Sequence, residues 1–180
     1  MATPAASSSS AAISSNHHQN LHSVFVYGSL LADDVVKALL NRVPQNSPAI
    51  LDNFKRFSIE GRIYPAILPV ENAQVNGRVL LGITDSELDL LDKVEDVEYE
   101  RSTVNVSLID TLKRMQVYTY VWVDKNDPRL DGEWNFEDWK RLHMNDLLKI
   151  TTAYMEEIEG TGSKSRMAIS ESFFQQKAEE

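Results

Sequence analysis

Along this chain the spacing of apolar residues switches between alternating and helical, and each switch marks a boundary between elements. Val24-Phe25-Val26-Tyr27 is a short β-branched and aromatic run of the buried-strand kind, broken at Gly28-Ser29. Asp33 suits the N-cap of a helix over Asp34 to Leu40, with Val35, Val36, Leu39 and Leu40 on one stripe. Further strands are predicted at Phe54 to Ile59, Ile63 to Leu68 and Val75 to Ile83, separated by Gly61, Pro69 and Asn76-Gly77. Asn-Gly is a hairpin signal, which would delay the last of these until after it. Thr84-Asp85-Ser86-Glu87 has capping-box spacing and opens a helix from Glu87 to about Val94, with Leu88 and Leu91 inward. Tyr99 to Leu108 and Met115 to Val123 read as two strands joined by a turn at Asp110 to Arg114. Asn135 to Glu159 carries one long helical pattern, with Phe136, Trp139, Leu142, Leu147, Ile150 and Tyr154 near one face.

Early strands, one helix after a Gly turn, a strand pair and a terminal helix do not make the regular alternation of a doubly wound sheet. The order predicts an α+β fold around a mixed sheet or small barrel, in a domain over residues 23–159. Met1 to Asn20 is rich in Ala and Ser, and the first basic residue is Lys37. Secretory and transit peptides need an earlier positive charge, so residues 1–22 read as a disordered tail. The small polar stretch after Gly160 predicts a frayed C-terminal tail over 160–180, in which Ile169 to Phe174 has enough amphipathic character to dock as a short helix.

The formal net charge is −9 over 180 residues, which argues against nucleic-acid and anionic-membrane partners. No apolar run approaches the roughly 20 residues of a membrane helix. Without cysteine there are no disulfides, thiol nucleophiles or Cys-ligated metals, which suits a reducing, cytoplasmic setting. His17, His18 and His22 lie at the N-terminal end with no carboxylate at useful spacing, and the expectation is no metal.

Candidate chemistry starts at Tyr27-Gly28-Ser29-Leu30. A glycine directly after a buried strand frees the backbone to turn, here at an expected positive φ, and the amides that follow are not yet used by helix or sheet. Free amides of this kind form an anion-binding concavity. A single carboxylate suits it better than a phosphate, because no G-x-x-x-x-G-K-[ST] follows and Asp33-Asp34 repels multiple charge. The G-x-S-x-G elbow that would make Ser29 a nucleophile is absent. An ordinary strand-to-helix turn with no ligand remains the competing reading. Glu95 ends the helix opened by Thr84, where the helix dipole and the neighbouring Asp92, Asp96 and Glu98 all disfavour an ionised carboxylate. A raised pKa is what a general base near neutral pH requires, although such clusters also occur as solvated loops. Tyr118, Tyr120 and Trp122 share one face of their strand, as do Tyr99 and Arg101 on theirs, which fits a pocket wall or plain packing.

Together, Val24-Phe25-Val26-Tyr27-Gly28-Ser29-Leu30, then Leu91-Asp92-Lys93-Val94-Glu95-Asp96 with Tyr99-Glu100-Arg101, and finally Tyr120-Val121-Trp122-Val123 resemble the γ-glutamylcyclotransferase-like family. The Trp134-Asn135-Phe136-Glu137-Asp138-Trp139 segment resembles its plant avirulence-induced-gene branch. The resemblance implies a small mixed β-barrel flanked by helices, with a long C-terminal helix and no cofactor. It implies a small γ-glutamyl substrate held by the segment Tyr27, Gly28, Ser29, Leu30, Leu31 and Ala32 and by Tyr120, with Glu95 as the base that moves one proton. The family often has Gly after this Glu, where this chain has Asp96. Trp134 and Trp139 are expected to be exposed, offering a surface to a partner if the fold serves only for binding.

Overall fold

Five strands close into a ring in the computed structural model, which describes residues 20–160 and 162–179. They are β1 (His22–Val26), β2 (Asn46–Ile59), β3 (Ala66–Ile83), β4 (Tyr99–Leu108) and β5 (Arg114–Trp122), joined in the order β3-β1-β5-β4-β2 and back to β3. β1 and β5 run parallel and the other pairings are antiparallel, so the barrel is mixed as expected. A short β6 (Leu130–Asp131) adds to the end of β2. The helices are α1 (Asp33–Leu40), α2 (Asp85–Glu95), α3 (Phe136–Leu142), α4 (Met144–Glu159) and α5 (Arg166–Glu179).

Strand alternation divides the apolar residues between two cores. Phe25 of β1 and Tyr27 just after it join Ala49, Leu51, Val75 and Val117 in one cluster. Val24 and Val26, pointing the other way, pack with Leu39, Leu91, Leu147 and Ile150 under the helices. The capping box at Thr84 forms as its spacing implied, with the Glu87 amide donating to Thr84 Oγ1 and the Thr84 amide donating to Glu87 Oε1.

Five expectations change. The Asn76-Gly77 hairpin does not form. β3 runs straight through it, pairing Gly77 with Ala49 and Asn76 with Ile50. Gly77 is there because a Cβ would meet the Val26 carbonyl oxygen and the Phe25 ring, 2.7 Å from its Cζ. Ile63 and Tyr64 lie in the loop before β3, which starts only at Ala66. The single helix over Asn135 to Glu159 divides at His143, whose φ of −129° and ψ of −10° leave the helical region. The frayed C-terminal tail is instead the helix α5, which packs Ile169, Phe173 and Phe174 against the core. Trp134 and Trp139 are 9% and 2% exposed, stacked with Phe136, and so offer no partner surface. The expected N-terminal tail, with His17 and His18, lies outside the described residues up to residue 19, while His22 already belongs to β1 and contacts Asp85 at 2.6 Å.

Candidate active site

At the end of β1 the chain leaves the sheet through Tyr27-Gly28 and makes a single tight turn over Ser29–Leu31 before α1. The turn uses the Leu31 amide, which donates to the Gly28 carbonyl at 2.9 Å, and the Ala32 amide, which donates to the Ser29 carbonyl at 3.1 Å. Among the turn hydrogen bonds of the described residues, none takes the amide of Gly28, Ser29 or Leu30 as donor. Arg78 of β3 pins the turn from behind, donating to the Leu30 carbonyl at 2.8 Å and to Asp33 at 2.7 Å. Gly28 is not at positive φ: its φ is −128° and its ψ −127°. Its lack of a side chain serves close approach, because a Cβ would lie 2.7 Å from Pro65 Cδ.

Glu95 is the last residue of α2, and its side chain reaches the same place. Tyr27, Gly28, Ser29, Leu30, Glu95 and Tyr120 all line one narrow cleft of about 30 Å³, room for one or two waters. Tyr64 and Pro65 of the β2–β3 loop and Tyr99 of β4 complete its walls. Leu31 and Ala32 do not line it; their amides close the turn instead. Two expected contributors are committed elsewhere. The Tyr27 hydroxyl donates to the Tyr120 carbonyl at 2.6 Å, and the Tyr120 hydroxyl donates to Asp92 at 2.7 Å. Arg101 also binds Asp92, at 2.8 Å, and its guanidinium lies over Tyr118.

The Glu95 side chain is 15% exposed, and its pKa is raised chiefly by burial, with Glu98 adding to the rise. Asp92 is held by Arg101 and Tyr120, and Glu98 is gripped by both arms of Arg62 at 2.7 and 3.1 Å. The rise has the expected direction, but burial rather than a cluster of loose carboxylates is its main source.

Sequence reasoning missed Arg166. This first residue of α5 enters the cleft with its side chain only 9% exposed, places Nη2 3.5 Å from Glu95 Oε2, and holds its guanidinium 4.1 Å from the centre of the Tyr64 ring. Its positive charge opposes the rise in the Glu95 pKa. A lone arginine after a Gly- and Ser-rich stretch carries no pattern that would have singled it out. Tyr64-Pro65 is equally silent, since Tyr64 works through the wall it builds between Arg62 and Arg166.

The arrangement can hold a small carboxylate on unpaired amides and present a carboxyl base beside it. Among the described residues no group of side chains has the makings of a metal site, and no helix is long and apolar enough to cross a membrane.

Comparison with known proteins agrees with this fold. Residues 24–141 match the family model described as "Gamma-glutamyl cyclotransferase, AIG2-like". AIG2-like protein D of Arabidopsis thaliana is 58% identical over 139 residues, covering 77% of this chain and 91% of that protein. AIG2-like protein C of the same plant is 49% identical over 158 residues, covering 88% and 92%. A solution structure of another Arabidopsis thaliana protein superposes with a TM-score of 0.61 at 48% identity, over 79% of this chain and 95% of that one. A structure described as a gamma-glutamyl cyclotransferase shares the fold, with a TM-score of 0.53 at 20% identity, over 58% of this chain and 68% of that one. A mixed five-stranded barrel, a strand-end turn with free amides and a matching family model lead to one assignment: the chain belongs to the γ-glutamyl cyclotransferase, AIG2-like family.

Proposed function

We propose that this protein is a γ-glutamyl cyclotransferase that releases 5-oxoproline from a small γ-glutamyl amine or peptide. The observation that carries the reading is that Glu95 and the turn residues Gly28, Ser29 and Leu30, whose amides make no turn hydrogen bond among the described residues, line one cleft although some sixty-five residues separate them in sequence. The α-carboxylate of the substrate sits on the turn amides. Glu95 takes a proton from the α-ammonium, and the freed amine attacks the γ-carbonyl carbon of the same molecule. A C–N bond forms and closes a five-membered ring, Glu95 returns its proton to the leaving nitrogen as the C–N bond to the leaving amine breaks, and the second proton still on the ring nitrogen passes by way of the same carboxylate to the freed amine.

Physical chemistry supports each part. The attack is intramolecular, so the protein's task is to hold a near-attack conformer and pass protons from the attacking nitrogen to the leaving one. A carboxyl with a raised pKa is better matched to an ammonium than an ordinary glutamate, and burial supplies the rise here. Nothing in this scheme calls on a cofactor.

The test is incubation with a panel of γ-glutamyl amines and peptides while 5-oxoproline is measured. Turnover is expected, and Glu95→Gln should lower it by at least about a hundredfold, the low end for losing a general base. Undiminished turnover in that variant would remove Glu95 from its role. Absence of turnover with every compound, alongside retained 5-oxoproline binding, would make the protein a non-catalytic carboxylate-binding module on the same fold.

A further inference from the structure

Arg166 is badly provided for as a purely structural residue. A guanidinium presents five N–H donors in a fixed fork. Here the side chain is nine-tenths buried, its contact with Glu95 is a single one at 3.5 Å, and Nε is buried with no partner among the described residues. Leaving a buried charged donor unsatisfied is unfavourable. Tyr64 fixes the plane of the group by stacking but accepts none of its hydrogen bonds. The two cavities lined by Arg166 are also lined by Ser29, Leu30 and Glu95, so the arginine borders the same space as the Gly28–Leu30 turn.

We propose that Arg166 is a substrate-binding residue: its fork receives the ligand's α-carboxylate opposite the amides of the Gly28–Leu30 turn, so that α5 completes the binding site. The inference rests on the γ-glutamyl reading above and specifies its carboxylate subsite. Charge accounting supports it. A γ-glutamyl group brings one carboxylate and one ammonium to a cleft that already holds Glu95. Once the ammonium proton has moved to Glu95, both of those groups are neutral and the substrate carboxylate is left as an anion in a desolvated cleft. Backbone amides offer it only dipoles, whereas Arg166 offers a full charge in bidentate geometry. Binding also draws Arg166 away from Glu95, and the carboxyl that loses its cation becomes the stronger base. Because the cleft is narrow as it stands, this exchange of partners also makes room for the ligand.

The experiment uses the full chain and two probes, L-5-oxoproline and its carboxamide, with affinities from NMR titration. The wild type should bind the acid about tenfold or more tightly than the amide, as a charge-assisted pair allows. Arg166→Gln should bring the two within about twofold, and Arg166→Lys, which keeps the charge but not the fork, should fall between. The decisive variant is Glu95→Gln combined with Arg166→Gln. If Arg166 merely neutralises Glu95, removing both restores the preference for the acid; if Arg166 touches the ligand, the preference stays lost. A restored preference would overturn the proposal. So would equal binding of acid and amide by the wild type, no binding of either, or an undiminished preference in a folded Arg166→Gln protein. Should Arg166→Gln not fold, the proposal stands or falls on Arg166→Lys, which must lower the acid preference. Activity remains a separate readout. Arg166-dependent acid binding without γ-glutamyl turnover sustains the inference and refutes the cyclotransferase reading, and Glu95-dependent turnover with an Arg166-independent acid preference does the reverse.

Discussion

Asp96, which follows the candidate base, stands at φ 57° and ψ −153°. That backbone conformation borders a region populated almost only by glycine, and a side chain held there costs about 1–3 kcal/mol. Asp96→Gly therefore removes strain at the junction between α2 and β4. Two smaller terms modify the gain. Glycine gives the unfolded chain more freedom, which takes back about 0.4–1 kcal/mol. A carboxylate just past the C-terminal end of α2 faces the negative end of the helix dipole, and deleting it returns about 0.3–1 kcal/mol. The Asp96 side chain is exposed, so no buried contact is lost. The two smaller terms nearly cancel, leaving a stabilisation of about 1–3 kcal/mol, which for a chain of this length raises Tm by about 2–12 °C.

Urea titration and thermal unfolding of the wild type, Asp96→Gly and Asp96→Ala measure this directly. Alanine removes the charge yet keeps a Cβ, so it should recover only the dipole term, about 0.3–1 kcal/mol, and not the strain. The glycine variant should raise the urea midpoint with an unchanged slope, as expected when stability alone moves. If alanine stabilises as much as glycine, the gain comes from charge and the strain argument fails. If glycine destabilises, the Asp96 conformation is not strained at all.

Three other expectations follow from the structure. Because catalysis by Glu95 needs its ionised form, kcat/KM should rise with pH through a pKa above the ordinary glutamate value. Arg166→Gln, by removing a cation that favours the carboxylate, should move that acidic limb to higher pH; a limb that stays put or shifts lower would show that the arginine charge does not reach the base. Gly77→Ala should destabilise by about 1–3 kcal/mol, since its Cβ would overlap the Val26 carbonyl and the Phe25 ring, and a neutral result in urea titration would mean β1 can step aside.

The legible part of the sequence was the part governed by local rules. β1 followed by a Gly turn, the capping box at Thr84 and the alternation in β4 and β5 each depend on residues within a few positions of one another, and each appears where the pattern put it. Asn76-Gly77 misled because its local preference for a hairpin is overridden by pairing with β2 and by contact with Phe25, neither visible at short range. The reason for Gly28 was likewise nonlocal, a close pass by Pro65 rather than a left-handed turn. Glu95 was legible as a residue but not in its electrostatics: sequence neighbours suggested repulsion from Asp92 and Asp96, whereas folding binds Asp92 to Arg101 and Tyr120 and brings Arg166 from seventy-one positions away.

Three unfavourable features meet at this one carboxylate. It is buried, it closes a helix at the negative end of the dipole, and the residue after it is held in a conformation suited to glycine. Its raised pKa fixes the sign of its effect on stability: the folded protein binds the proton more tightly than the unfolded chain, so stability falls as pH rises from the ordinary glutamate range through the folded-state value, and the ionised form is a burden at neutral pH. The compensating Arg166 is itself left with an Nε that finds no partner among the described residues. Replacing a buried ion pair by apolar side chains of similar volume is commonly neutral or stabilising. A chain shaped by stability alone would have no reason to keep both charges in a cleft whose other wall is a row of unpaired amides. Packing alone does not account for the arrangement, whereas the proposed binding of a small zwitterion and transfer of its ammonium protons would use each of its parts.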